Sequence, residues 1–166
     1  MFTTLSRTTI DKNQLLTHLT DIYLKPKVPL WIASSKCTHP VSFASAIFWA
    51  KEMGEAAKNG YEVILKQPRL HEIYSETPPF WVSVLHKMLM GRNVLDAKAT
   101  IGQSELSLYA HCTRHQNDFN RSGAMTVLAV NNATSNHTFL LKFGSALLKS
   151  AEVQSYVLTA ESEDAT

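Results

Sequence analysis

The sequence predicts a mixed fold, parallel α/β over residues 1–91 followed by antiparallel β over residues 92–166, and three observations carry that reading. Up to Gly91, stretches with helical apolar spacing alternate with short β-rich runs, the habit of parallel α/β structure. Beyond Gly91 the runs are short, alternating and separated by turn formers, the habit of antiparallel sheet. With 166 residues, 45% of them hydrophobic, the chain also has enough apolar material to bury a core.

The first helix is expected over 13–24, where Leu15, Leu16, Leu19, Ile22 and Tyr23 make one stripe and Pro26 and Pro29 follow its end. Residues 28–32 read as a short buried strand. Helical spacing returns over 42–58 through Phe43, Ile47, Ala50, Met53 and Ala57, with Asn59-Gly60 as the stop. A β-rich run over 61–66 is closed by Pro68. The third helix, over 79–90, carries Phe80, Trp81, Val84, Leu85, Met88 and Leu89 on a broad face expected to pack on a sheet, and Gly91 is expected to end it. Strands are then expected over 93–101, 105–112, 125–130, 138–143 and 153–158. In the second of these, Leu106, Leu108, Ala110 and Cys112 fall on one face and Glu105, Ser107, Tyr109 and His111 on the other. That alternation predicts a half-buried strand with the second set outward, as in a sandwich. The acidic end, Glu161-Ser162-Glu163-Asp164, reads as a solvated tail.

Composition excludes several classes. A net charge of +2 with scattered basic residues leaves no nucleic-acid footprint and no polybasic membrane patch. No apolar run approaches the roughly 20 residues that a spanning helix needs. Residues 1–21 are broken throughout by polar side chains, so no secretory signal is expected there. Cys37 and Cys112, without a doublet, exclude a disulfide-dense scaffold and a zinc ribbon. His111 and His115 flank Cys112, but an extended strand would set them roughly 13 Å apart, too far for one ion to bridge. No metal or other cofactor is expected. Three N-glycosylation sequons begin at Asn120, Asn132 and Asn136 in a polar stretch and lean toward the secretory pathway. The last two are too close for both to carry a glycan easily.

Taken in order, Trp31-Ile32, the stretch Phe48-Trp49 through Gln67, Phe80-Trp81, Met90-Gly91, Val94-Leu95 and Tyr109 with His111-Cys112-Thr113 resemble the closing portion of the heparanase-like glycoside hydrolases. The resemblance covers about 11–160. It implies the last βα units of a (β/α)8 barrel running into a partial antiparallel β-sandwich, and a family role in hydrolysing β-glucuronidic bonds of heparan sulfate. A secreted, extracellular-matrix or lysosomal location is implied in the same way.

Retaining glycosidases need two carboxyl groups about 5 to 5.5 Å apart, one as acid/base and one as nucleophile. Barrels hold such groups at the C-terminal ends of their strands. The resemblance places Ser34 where the family has its nucleophilic Glu, and places the acid/base Glu upstream of this chain's first residue. A serine hydroxyl is a poor nucleophile toward an acetal carbon, so a loss on the order of 10⁴-fold or more is expected from Ser34 alone. Glu62 sits early in its strand, at the end that reads as stability, and Glu72 and Glu76 lie in the following loop without a partner at defined spacing. The loop Ser35-Lys36-Cys37-Thr38-His39-Pro40 has no glycine where the family has a glycine-rich one. Gln67 matches a family residue near the substrate cleft. Cys112 matches a family cysteine whose partner would lie beyond this chain's last residue.

The reading is thus a catalytically inactive relative, either truncated or degenerate, expected to be unstable alone or to pair with another chain that completes the barrel. The rival is a non-catalytic glycan-binding or interaction module, for which Lys36, Lys51, Lys58, Lys66 and Arg69 are the cations nearest the barrel side.

Overall fold

The computed structural model describes residues 29–34, 41–66, 75–97, 106–114, 123–133, 135–138, 141, 152–162 and 164–165. The elements are β1 (Trp31–Ser34), α1 (Phe43–Lys58), β2 (Val63–Lys66), α2 (Pro78–Leu89), β3 (Met90–Leu95), β4 (Leu106–Thr113) and β5 (Met125–Asn131). Among the described residues they form a two-stranded sheet and a three-stranded sheet, the latter in the order β3-β4-β5. The expected helix over 13–24 lies outside the described residues.

β1 and β2 pair in parallel, Trp31 opposite Val63 and Ser34 opposite Lys66. Parallel neighbours need a long crossover, and α1 supplies it. Ser42, in extended conformation, caps α1. The Ser45 hydroxyl accepts the Ser42 N–H at 3.2 Å and donates to the Ser42 carbonyl at 2.6 Å. The first helical N–H, on Phe43, is taken by the carbonyl of Ala165 at 2.8 Å. The acidic end is therefore exposed at Glu161, Ser162 and Asp164 but returns to the start of α1 through Ala165. At the other end Gly60 takes a φ of +79°, a left-handed stop that glycine accepts without strain. The Glu62 N–H then donates to the Leu30 carbonyl at 2.9 Å, setting β2 beside β1.

Thr77 caps α2, its hydroxyl accepting from the Phe80 N–H, and Pro78 and Pro79 occupy the first positions, where a missing N–H has no consequence. The far end departs from expectation. Gly91 does not stop the helix: α2 ends at Leu89 and β3 begins at Met90 with no loop between them. The β3–β4 register shifts between Met90 and Val94, and a Cβ on Gly91 would run into the Cys112 carbonyl oxygen. Glycine is there because two backbones approach closely at a bulge.

Two expectations about sidedness are corrected. On α2, Phe80, Trp81 and Met88 are exposed, while Pro79 is buried and Val82 packs against the core. The helix is apolar around most of its circumference, so periodicity could not choose a side. On β4, Tyr109 and His111 are not outward but 5% and 4% exposed, because α1 packs over their face of the sheet. The core that results joins both halves of the chain: Ala50 of α1, Tyr109 of β4 and Val130 of β5, with Ile47, Val82 and Leu128 against them. The run 153–158 is no strand. Val153 and Val157 are 80% and 76% exposed, and a strand without a neighbour leaves its backbone groups to water. Of 138–143, Thr138 and Leu141 carry no regular structure and the rest lies outside the described residues.

Candidate functional site

The C-terminal ends of β1 and β2 lie side by side, Ser34 level with Lys66. In an open parallel sheet or a barrel this is the end at which ligands bind. Lys66, however, has its ammonium 5.4 Å from the centroid of the Trp49 ring. Trp49 is 6% exposed, and its indole N–H donates to Ser83 Oγ at 2.8 Å. Ser83 in turn donates to the Pro79 carbonyl at 2.8 Å. Lys66 thus turns toward the helix side of the sheet, where it stabilises the α1–α2 contact. Alternation along the strand puts Leu65 on the other face, beside Ala33 in register and in line with Trp31; Trp31 and Leu65 are 64% and 50% exposed.

A second cluster lies where the helices meet the antiparallel sheet. The Tyr109 hydroxyl donates to Glu55 Oε1 at 3.0 Å. Burial, and then the Glu55 carboxylate, hold the Tyr109 hydroxyl well above the usual phenol range, so it remains a donor. His111 Nδ1 lies 2.7 Å from the Gly91 carbonyl. A carbonyl only accepts, so this nitrogen carries the proton and Nε2 faces inward. The His86 ring stands edge-on to it, centroids 6.0 Å apart. Burial, with a smaller contribution from His111, lowers the His86 pKa to about 4. Nε2 of both rings is buried without a hydrogen-bond partner. Among the described residues, no three His, Cys, Asp or Glu side chains gather as a metal site would require.

No protein-family model matches the chain. Curated proteins do. Heparanase of Gallus gallus is 28% identical over a stretch covering 74% of this chain and 25% of that protein. Inactive heparanase-2 of Mus musculus is 26% identical, covering 68% of the chain and 25% of the relative. Over these stretches the chain is similar to the heparanases. Hyaluronoglucuronidase of Hirudo nipponia is 23% identical over 80% of the chain and 30% of the leech protein. The chain spans less than a third of the length of each of these relatives.

The residues singled out from sequence are scattered in fate. Ser34 closes β1. Gln67, Glu72, Cys37, Lys36, Arg69, His115 and Asn120 lie outside the described residues. Glu62 is exposed just before β2, at the N-terminal end of the parallel pair, and Glu76 is exposed just before the Thr77 cap. Lys51 and Lys58 ride on α1, away from the strand ends. Cys112 is a half-buried free thiol. Asn132 and Asn136 are exposed, on a turn that Asn131 fastens: its amide donates to the Ser135 carbonyl and its oxygen accepts the Ala133 N–H, both at 3.0 Å. Sequence reasoning passed over His86 and Glu55. A histidine four residues after Val82 and a glutamate eight residues after Ile47 gave little signal that their tips would meet a sheet.

No described helix is long and apolar enough to cross a membrane.

Proposed function

We propose that this chain is the closing part of a heparanase-type glycosidase: βα units of a (β/α)8 barrel followed by part of a β-sandwich, without catalytic turnover of its own. The parallel β1–α1–β2 unit, with Ser34 at the C-terminal end of β1, carries the reading. A barrel glycosidase needs a carboxylate at such a strand end, and a hydroxyl there lacks the charge to capture an oxocarbenium-like centre. The ligand class is a glycosaminoglycan with uronic-acid units, heparan sulfate first, in keeping with relatives named heparanase and hyaluronoglucuronidase. Trp31 and Leu65, exposed on one face of the parallel sheet that β1 and β2 form among the described residues, fit strands supplied by another chain. Secretion to the matrix or lysosome, with glycan on Asn120, Asn132 or Asn136, belongs to the same reading.

The test is an endo-glucuronidase assay of the full chain on heparan sulfate, scored by chain-length reduction. No cleavage is the expected result, and cleavage abolished by Ser34→Ala overturns the inactive reading.

A second reading, a non-catalytic glycan-binding module, is favoured by the match to a relative named inactive heparanase-2. Retention on heparin that weakens with salt and with Arg69→Ala supports it. Absence of retention at low salt removes it.

A further inference from the structure

We propose that His86 and His111 form an acid-sensitive latch holding the C-terminal end of α2 against the antiparallel sheet. The two imidazoles stand edge to face with centroids 6.0 Å apart, and each has a buried Nε2 that no group satisfies. His111 is 4% exposed and fixed by its Nδ1–H on the Gly91 carbonyl. The joint around them is heavily tied. Leu89 O accepts from the Arg114 N–H at 2.9 Å and from Thr126 Oγ1 at 3.0 Å. Lys87 O accepts from the Arg114 guanidinium at 2.7 Å. Because α2 runs into β3 without a loop, a change at His86 is felt directly by the sheet.

Neutral rings tolerate this enclosure; a charged one does not, since a buried imidazolium is desolvated and its Nε2–H has no hydrogen-bond partner to offset the loss of water. The titratable and charged groups on the elements packed around His86 are Lys87 on α2, Arg92 on β3, Tyr109, His111 and Cys112 on β4, Arg114 just past it, and Lys51, Glu52, Glu55 and Lys58 on α1. Glu55 is engaged by the Tyr109 hydroxyl, and Arg114 adds positive charge to the joint itself. His111 is the neighbour that weighs electrostatically on His86, and it does so unfavourably for the cation. Protonating His86 therefore loosens this contact before it loosens the β1–α1–β2 unit, which is held by its own parallel strand pairing.

The experiment is hydrogen–deuterium exchange of the full chain between pH 7 and 4.5, corrected for intrinsic exchange. A ring titrating at about 6.5 when open and about 4 when closed raises the open population by up to roughly 80-fold at pH 4.5. Protection over 82–90 and 106–113 is expected to fall accordingly, while 43–58 holds, and His86→Phe is expected to remove the pH dependence. An unchanged pH dependence in His86→Phe, or loss of protection in 43–58 to the same extent, overturns the proposal. Should His86→Phe fail to fold, the wild-type chain labelled with ¹⁵N-histidine decides: a His86 ring that titrates near 6.5 in the folded chain sinks the latch.

Discussion

The hydroxyl of Tyr109 donates to Glu55 across 54 positions of sequence, at 3.0 Å, and its ring lies directly over Gly54. One side chain of the antiparallel sheet thus reads both the backbone and the carboxylate of α1. The contact explains why Tyr109 is 5% exposed on the face where alternation put polar residues.

Tyr109→Phe keeps the ring and removes the donor. Glu55 then loses a partner in a half-buried place, and a loss of about 1–3 kcal/mol is expected in urea unfolding. Gly54→Ala tests the same contact from the other side. In a free helix the change would add about 1 kcal/mol. Here the new Cβ would overlap the Tyr109 ring, and overpacking against a side chain pinned at its far end costs about 1–3 kcal/mol. A net destabilisation is expected; a stabilised Gly54→Ala chain would mean the ring is free to move.

Trp49 carries two interactions, the 2.8 Å bond to Ser83 and the Lys66 ammonium over its ring. Ser83 keeps its own acceptor, the Pro79 carbonyl, so Trp49→Phe is expected to cost a moderate amount, about 1–2 kcal/mol. Lys66→Met removes only the cation, about 0.5–1 kcal/mol at this degree of exposure. Thermal melts of the two variants should rank in that order.

Stability should fall in acid through His86. Its pKa is about 4 in the folded chain against 6.5 for an ordinary histidine, so between those values the unfolded chain binds more protons. The contribution is fully present above pH 6.5 and lost as pH falls toward 4, by roughly 3 kcal/mol at most. Urea midpoints at pH 7 and pH 4.5 measure it, and His86→Phe should flatten the difference.

Ser34→Glu is expected to leave the chain without measurable heparan sulfate cleavage. The change restores one carboxylate at the end of β1, whereas retaining chemistry needs a second about 5 to 5.5 Å away. Lys66, level with Ser34, is turned to Trp49 and supplies no acid there. Turnover by the single variant, read by chain-length reduction, would show a second acid at this strand end.

Glycan addition is expected at no more than one of Asn132 and Asn136, which share the short turn fastened by Asn131. Mass loss after amidase treatment of chain secreted from eukaryotic cells, with Asn132→Gln and Asn136→Gln compared, reads the number directly.

The order of elements was legible in the sequence. Apolar spacing and the Asn59-Gly60 stop located α1 to within a residue, and the β-rich runs gave β2, β4 and β5, because period and turn chemistry are local properties. The heparanase-like resemblance was legible too, carried by residues spread along the chain. Which side of each element is buried was decided only by tertiary structure. α2 turns Pro79, Val82 and Ser83 inward rather than Phe80, Trp81 and Met88, and Gly91 serves a backbone crossing rather than a helix end. A helix apolar on most sides carries no period that distinguishes one face from the other, and the alternation in β4 ranked Tyr109 and His111 with its polar face although both are buried. That choice is made by partners far away in sequence, Ser83 for Trp49, Glu55 for Tyr109 and His86 for His111, and it exists only once the chain has folded.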